Sequence, residues 1–230
     1  MEAVKDITET AAVDLGGHLD AGDDAVVTVV AGGTAAAATT TTTTTTTCQT
    51  PAAARPTTPP PDEATVSRMR RLSGKERNMK LIEVAERGAV GELRALLAAG
   101  VEVSARDDDG KTALHWAAGA GSVEAARLLV AAGAAVDARD NLQQMTPLHW
   151  TAVCGNVATA RLLLSASANP NARDSGGWTP LHFAACCNRT DMAAALLEAG
   201  ADRGARDRGG WTPLCFARQW NNMWLMEMLS

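Results

Sequence analysis

From residue 79 onward the apolar positions fall into two alternating phrases. One is short and has a threonine in second place: KTALHWAAGAG at 111–121, MTPLHWTAVCG at 145–155 and WTPLHFAACCN at 178–188. The other is rich in leucine, with pairs at 96, 128, 162 and 196, as in MAAALLEAG ending at Gly200. Leucines set three to four residues from the next apolar position predict short amphipathic helices. In TPLH the threonine suits a helix N-cap and the proline the first helical position, where no amide hydrogen is needed. The histidine, three residues after the cap, can reach back to it as the acid of a capping box does. Gly88, Gly121, Gly155, Asn188 and Asn221 then mark one common turn, since both residue types tolerate left-handed backbone.

The spacing decides the architecture. Thr112, Thr146, Thr179 and Thr212 are 34, 33 and 33 residues apart, and Ala-Arg-Asp recurs at 105, 138, 172 and 205. A constant step of this length means stacked units, each burying its apolar face on the next. Three places depart from the pattern. DNLQQMT at 140–146 has one extra residue and no glycine compared with DSGGWT and DRGGWT, so its tip must differ; Ser167 replaces a helix-ending glycine; and Cys215 stands where histidine is expected.

These residues resemble the ankyrin repeat family, over residues 79–230. The resemblance implies an all-α solenoid of about five units, each a short β-hairpin turn followed by two antiparallel helices, with 79–107 as the N-terminal capping repeat. It implies a non-catalytic scaffold or adaptor that grips a protein partner through hairpin tips and first-helix ends. A basic lead-in ahead of such repeats is also similar to the Lyn-interacting ankyrin repeat adaptors.

The N-terminal portion is composed differently. Nine consecutive threonines, Thr39 to Thr47, are followed by PAAARPTTPPPDE, so residues 1–66 read as a disordered tail and 67–78 as a basic collar before the repeats. The net charge of -5 is unevenly spread: residues 1–64 hold nine acids and two bases, 65–80 one acid and six bases. The acidic start does not look like a leader, and no apolar run approaches the ~20 residues of a membrane span. Five cysteines without CxxC spacing argue against a disulfide scaffold and for a reducing compartment. The expected compartment is the cytoplasm, with the nucleus as the alternative raised by the collar.

Candidate chemistry is sparse. His182 and Cys186 have the spacing of metal ligands on one helix face, but His115, His149 and His182 share one place in each unit, which gives them a capping role; no metal, cofactor or catalytic residue is expected. Trp116, Trp150, Phe183 and Phe216 follow the histidine position and should be core. Lys111, Met145, Trp178 and Trp211 hold equivalent hairpin tips, and Trp220 ends a first helix, so these five form the expected protein-binding stripe. Cys154, Cys186 and Cys187 fall on the same face as small lining side chains. RRLSGKE offers a capping box, Ser73 with Glu76, and also a basophilic kinase target at Ser73. With no basic stripe across the repeats, nucleic acid is not the expected partner; the partner is an unidentified protein and the chain a monomer.

Overall fold

The computed structural model describes residues 62–230. The tail reading for residues 1–61, and Cys48 with it, lies outside the described residues. Two rows of helices run through the described part. The first row holds α2 (Gly74–Glu86), α4 (Ala113–Gly119), α6 (Pro147–Cys154), α8 (Pro180–Cys186) and α10 (Pro213–Ala217). The second holds α1 (Glu63–Arg70), α3 (Val90–Ala98), α5 (Val123–Ala131), α7 (Val157–Ser165), α9 (Thr190–Glu198) and α11 (Met223–Leu229). Each helix packs on its neighbours within its row, and α2/α3, α4/α5, α6/α7, α8/α9 and α10/α11 pair as units. Five helix pairs thus stack as the 33-residue step requires.

The contacts explain the repeated residue types. One leucine of each pair is fully buried: Leu96, Leu129, Leu163 and Leu196. Leu114, Leu148 and Leu181 of the TPLH-like phrases fill the same core from the first row. Between them lie Ala117, Ala118, Ala125, Ala126, Ala152, Ala160, Ala184, Ala185 and Ala193, all at 0% exposure, whose small side chains let the backbones approach closely. The last unit is different. Arg218 stands where Ala118, Ala152 and Ala185 are buried, and there α10 gives way to a tight 3-10 turn, Arg218–Trp220.

The chain enters the array earlier than expected. Helix α1 takes residues 63–66 of the segment read as tail and 67–70 of the collar, and α2 begins at Gly74 rather than at Met79. The local signals for α1 were present: Asp62 accepts from the Thr65 amide at 3.2 Å as an N-cap, Glu63 opens the helix, and Val66 and Met69 lie three apart and are buried. Helix α1 packs on α3, so it continues the second row by one helix beyond the first complete unit. The collar is therefore the end of one helix and the start of the next.

The turns hold as the spacing predicts, with left-handed backbone at Gly88, Gly121, Gly155, Asn188 and Asn221. Ser167 has φ 68, in the place where Gly100, Gly133 and Gly200 have φ 76, 87 and 87. In the longer tip Gln144 takes φ 59, the slot of Gly110, Gly177 and Gly210. A Cβ in this region is strained, so Ser167→Gly should raise the unfolding free energy by roughly 0.5–1 kcal/mol in urea denaturation. Gln144→Gly should do the same, and an unchanged midpoint in both would show that neither site is strained.

Candidate protein-binding face

Each hairpin is built around the aspartate of its Ala-Arg-Asp phrase. Asp107 accepts from the amides of Asp109 and Lys111, Asp140 from Gln143 and Met145, Asp174 from Gly176 and Trp178, and Asp207 from Trp211. The arginine before it ties the tip to the next unit: the Nη1 groups of Arg106, Arg139 and Arg173 each donate at 2.6 Å to the carbonyls of Arg139, Arg173 and Arg206 respectively.

The histidines act in the same joint. The Thr112 amide donates to His115 Nδ1 at 3.0 Å, and the same bond joins Thr146 to His149 and Thr179 to His182. With Nδ1 accepting, the neutral ring carries its proton on Nε2. That proton points at the tip carbonyl of the following unit: Met145 at 3.2 Å, Trp178 at 3.2 Å and Trp211 at 3.1 Å. Cys215 replaces histidine in the last unit, which has no further tip beside it among the described residues. Among the described residues no group of three or more His, Cys, Asp or Glu could hold a metal ion.

The expected stripe divides. Lys111 is 3% exposed and Met145 6%, so these two residues of the expected stripe lie buried at their tips rather than open to a partner. The Lys111 ammonium lies 4.9 Å from the Trp116 ring and 4.8 Å from that of Trp150, its own unit and the next. Trp178 does the same with its indole, 5.0 Å from Phe183 and 4.6 Å from Phe216, and is only half-exposed. Lys111 and Trp178 therefore each bridge successive aromatic positions. Trp211, alongside the last of these, is covered by no aromatic of a following unit among the described residues and is 58% exposed. Of the four residues expected in the core, Phe183 is buried, while Trp116, Trp150 and Phe216 are partly exposed beneath the tips.

The extra residue of the second tip has a local cost. Asp107 holds its tip amides through Oδ1 and accepts from Trp116 Nε1 at 2.9 Å through Oδ2, whereas Asp140 holds the Gln143 and Met145 amides but Trp150 Nε1 is buried without a partner among the described residues.

At the other edge of the face, Cys154, Cys187 and Trp220 occupy successive first-helix ends. Trp220 is 53% exposed, yet its Nε1 donates to the Cys186 carbonyl at 2.6 Å, which fixes the indole in place. Cys186 is buried, and a hydrogen bond from its thiol brings the Cys187 thiol down to about 7, with Arg189 acting in the same direction against burial. Sequence spacing gave no sign of Arg189, whose guanidinium lies across Gly155 in the preceding unit. It also gave no role to Met223 and Trp224, which are exposed at the start of α11. The signal was available in MWLMEML, where two large apolar residues precede the buried Leu225 and Leu229.

Two ankyrin-repeat family profiles match the chain, one of three copies over residues 81–174 and one of many copies over 163–217, together more than half its length. The chain belongs to the ankyrin-repeat family: it is a non-catalytic scaffold for protein–protein interaction. No curated protein matches it, so nothing supports a closer kinship with the Lyn-interacting adaptors. Among the described residues no helix is long and apolar enough to cross a membrane.

Burial pushes the His115 and His149 imidazoles down to about 4, and lowers His182 as well. The unfolded chain takes up protons on these rings near their ordinary 6.5, while the folded chain resists until about 4. The stability they contribute is thus complete above 6.5 and is lost as pH falls through that window. Unfolding free energy measured in urea should fall between pH 7 and 4, with each buried ring adding up to about 1.4 kcal/mol per pH unit. His149→Gln should be less stable at pH 7 and show a shallower slope. Parallel wild-type and variant curves would mean that His149 is not held neutral.

Proposed function

We propose that the chain binds its protein partner through the tip and first-helix-end face, with Trp211 and Trp220 as anchors. The observation that carries this is their joint exposure and restraint. Trp211 stands on a hairpin braced by Asp207, and Trp220 is held through its ring nitrogen, so two large amphipathic surfaces face solvent with little freedom left to lose. Lys111, Met145 and Trp178 serve this face from beneath, by fixing successive tips. The partner is an unidentified protein and the proposed binding form is the monomer.

A second reading, a signalling or nuclear regulatory adaptor controlled by phosphorylation of Ser73, is favoured by one observation. Ser73 is exposed directly behind Arg70 and Arg71, with only Arg71 and Leu72 between the end of α1 and this cap of α2.

The contrast among the tryptophans tests the first reading. The full chain is used as bait, captured proteins are quantified by mass spectrometry, and affinity is measured for those retained. Trp211→Ala and Trp220→Ala should each weaken binding about tenfold or more, equivalent to ~1.4 kcal/mol, with little change in thermal melt. Trp178→Ala should lower stability by roughly 2–4 kcal/mol, because it empties the space between Phe183 and Phe216. Unaltered affinity in a folded Trp211→Ala, Trp220→Ala double variant would remove both residues from the interface.

A further inference from the structure

The Arg70-Arg71-Leu72-Ser73 stretch has the residue types a basophilic kinase reads, but the fold does not present it as a kinase needs it. Arg70 is the last residue of α1, and Arg71 follows with right-handed helical backbone, φ -77 and ψ -18. Their geometry is held by backbone hydrogen bonds that the Arg71 amide donates to the Arg68 carbonyl at 3.2 Å and the Leu72 amide to that of Met69 at 3.3 Å. Leu72 is half-buried. One residue before Arg70, Met69 is 2% exposed, and with Val66 it anchors α1 on α3. On the other side, Ser73 is engaged in a full capping box: its hydroxyl accepts from the Glu76 amide at 3.3 Å, and the Glu76 carboxylate accepts from the Ser73 amide at 2.8 Å. A kinase that selects basic residues at fixed offsets binds its substrate extended. Arg70 and Arg71 cannot become extended while Met69 remains docked.

We infer that Ser73 is a phosphorylation site gated by the docking of α1: the serine becomes a substrate only in the fraction of molecules whose first helix has come away from α3. The inference presupposes that Ser73 is a phosphoacceptor. An eight-residue helix held by two buried side chains is the kind of element that opens without global unfolding. When opening and closing are fast, the modification rate follows the open population. In the open form the γ-phosphoryl group of ATP passes to Ser73 Oγ, the hydroxyl proton passes to the kinase base, and ADP leaves. The new dianion lies beside the Glu76 carboxylate, so the Glu76 arm of the capping box is repelled while the phosphate takes over the free amides at the start of α2. Whatever holds α1 down protects Ser73, and whatever displaces it exposes Ser73. Occupancy of the N-terminal end of the array is thereby converted into a covalent mark.

The test uses the catalytic subunit of cyclic-AMP-dependent protein kinase with ATP, on the full chain and on a free peptide of residues 66–80, with label mapped by mass spectrometry. The peptide should be labelled at Ser73, and the folded chain about tenfold or more slowly, as expected for an open population of one in ten or less. Met69→Ala should bring the rate on the full chain toward that of the peptide while the cooperative melt of the remaining array persists. If Met69→Ala does not fold, Val66→Ala serves as the milder variant. Hydrogen exchange should then show the α1 amides opening well before those of α6 and α8. Equal rates on peptide and folded chain, or no acceleration in a folded variant, would overturn the gate while leaving Ser73 a substrate. An unlabelled peptide would overturn the site itself, and with it the regulatory reading, without touching the binding face.

Discussion

The buried histidine bridge is the constraint around which this array is arranged. One ring nitrogen receives the amide of the threonine that opens its own helix, and the other donates to the main chain of the following unit. In the three units that carry it, one side chain thus both caps its own helix and joins that unit to the next. The ring must also stay neutral, because a proton on Nδ1 would face the threonine amide donor in a buried site. This explains why the residue can be neither the carboxylate of an ordinary capping box, which has no donor for the next unit's carbonyl, nor a lysine, which has no acceptor for the threonine amide.

Much of the array was legible because its determinants are local and repeated. Threonine caps, the leucine pairs and the glycine or asparagine turns sit where the 33-residue step puts them, and even the left-handed backbone at Ser167 follows from comparing it with Gly100, Gly133 and Gly200. Helix α1 was less legible because it occurs once. Without a second copy to align, its cap at Asp62 and its pair Val66 and Met69 are outweighed by the proline- and threonine-rich composition just upstream. Burial on α3, a contact far along the chain, is what gives this weak local signal a stable form.

The face was harder to read, for a reason visible in one comparison. Trp178 and Trp211 occupy the same GGWT phrase, yet the first is clasped by two phenylalanines and the second stands out in solvent. Their difference lies wholly in the neighbour: Trp178 has Phe216 in the next unit, and Trp211 has no such successor among the described residues. Position within a unit can be read from periodicity. Position within the stack, which governs exposure, depends on the chain of contacts beyond the unit. Lys111 shows the same limit from the opposite side, since a charged tip residue suggests solvent until two indole faces are placed around its ammonium.

The joints between units have a consequence for how such a chain can change. The histidines bond to the carbonyl oxygens of Met145, Trp178 and Trp211, and the arginines to those of Arg139, Arg173 and Arg206. A carbonyl is common to every amino acid, so the receiving residue contributes to these joints only through what all residues share. Side chains as different as a thioether and an indole can therefore follow one structural grammar. Selection can rewrite the tip chemistry one residue at a time while the seam between units goes on recognising only the polypeptide.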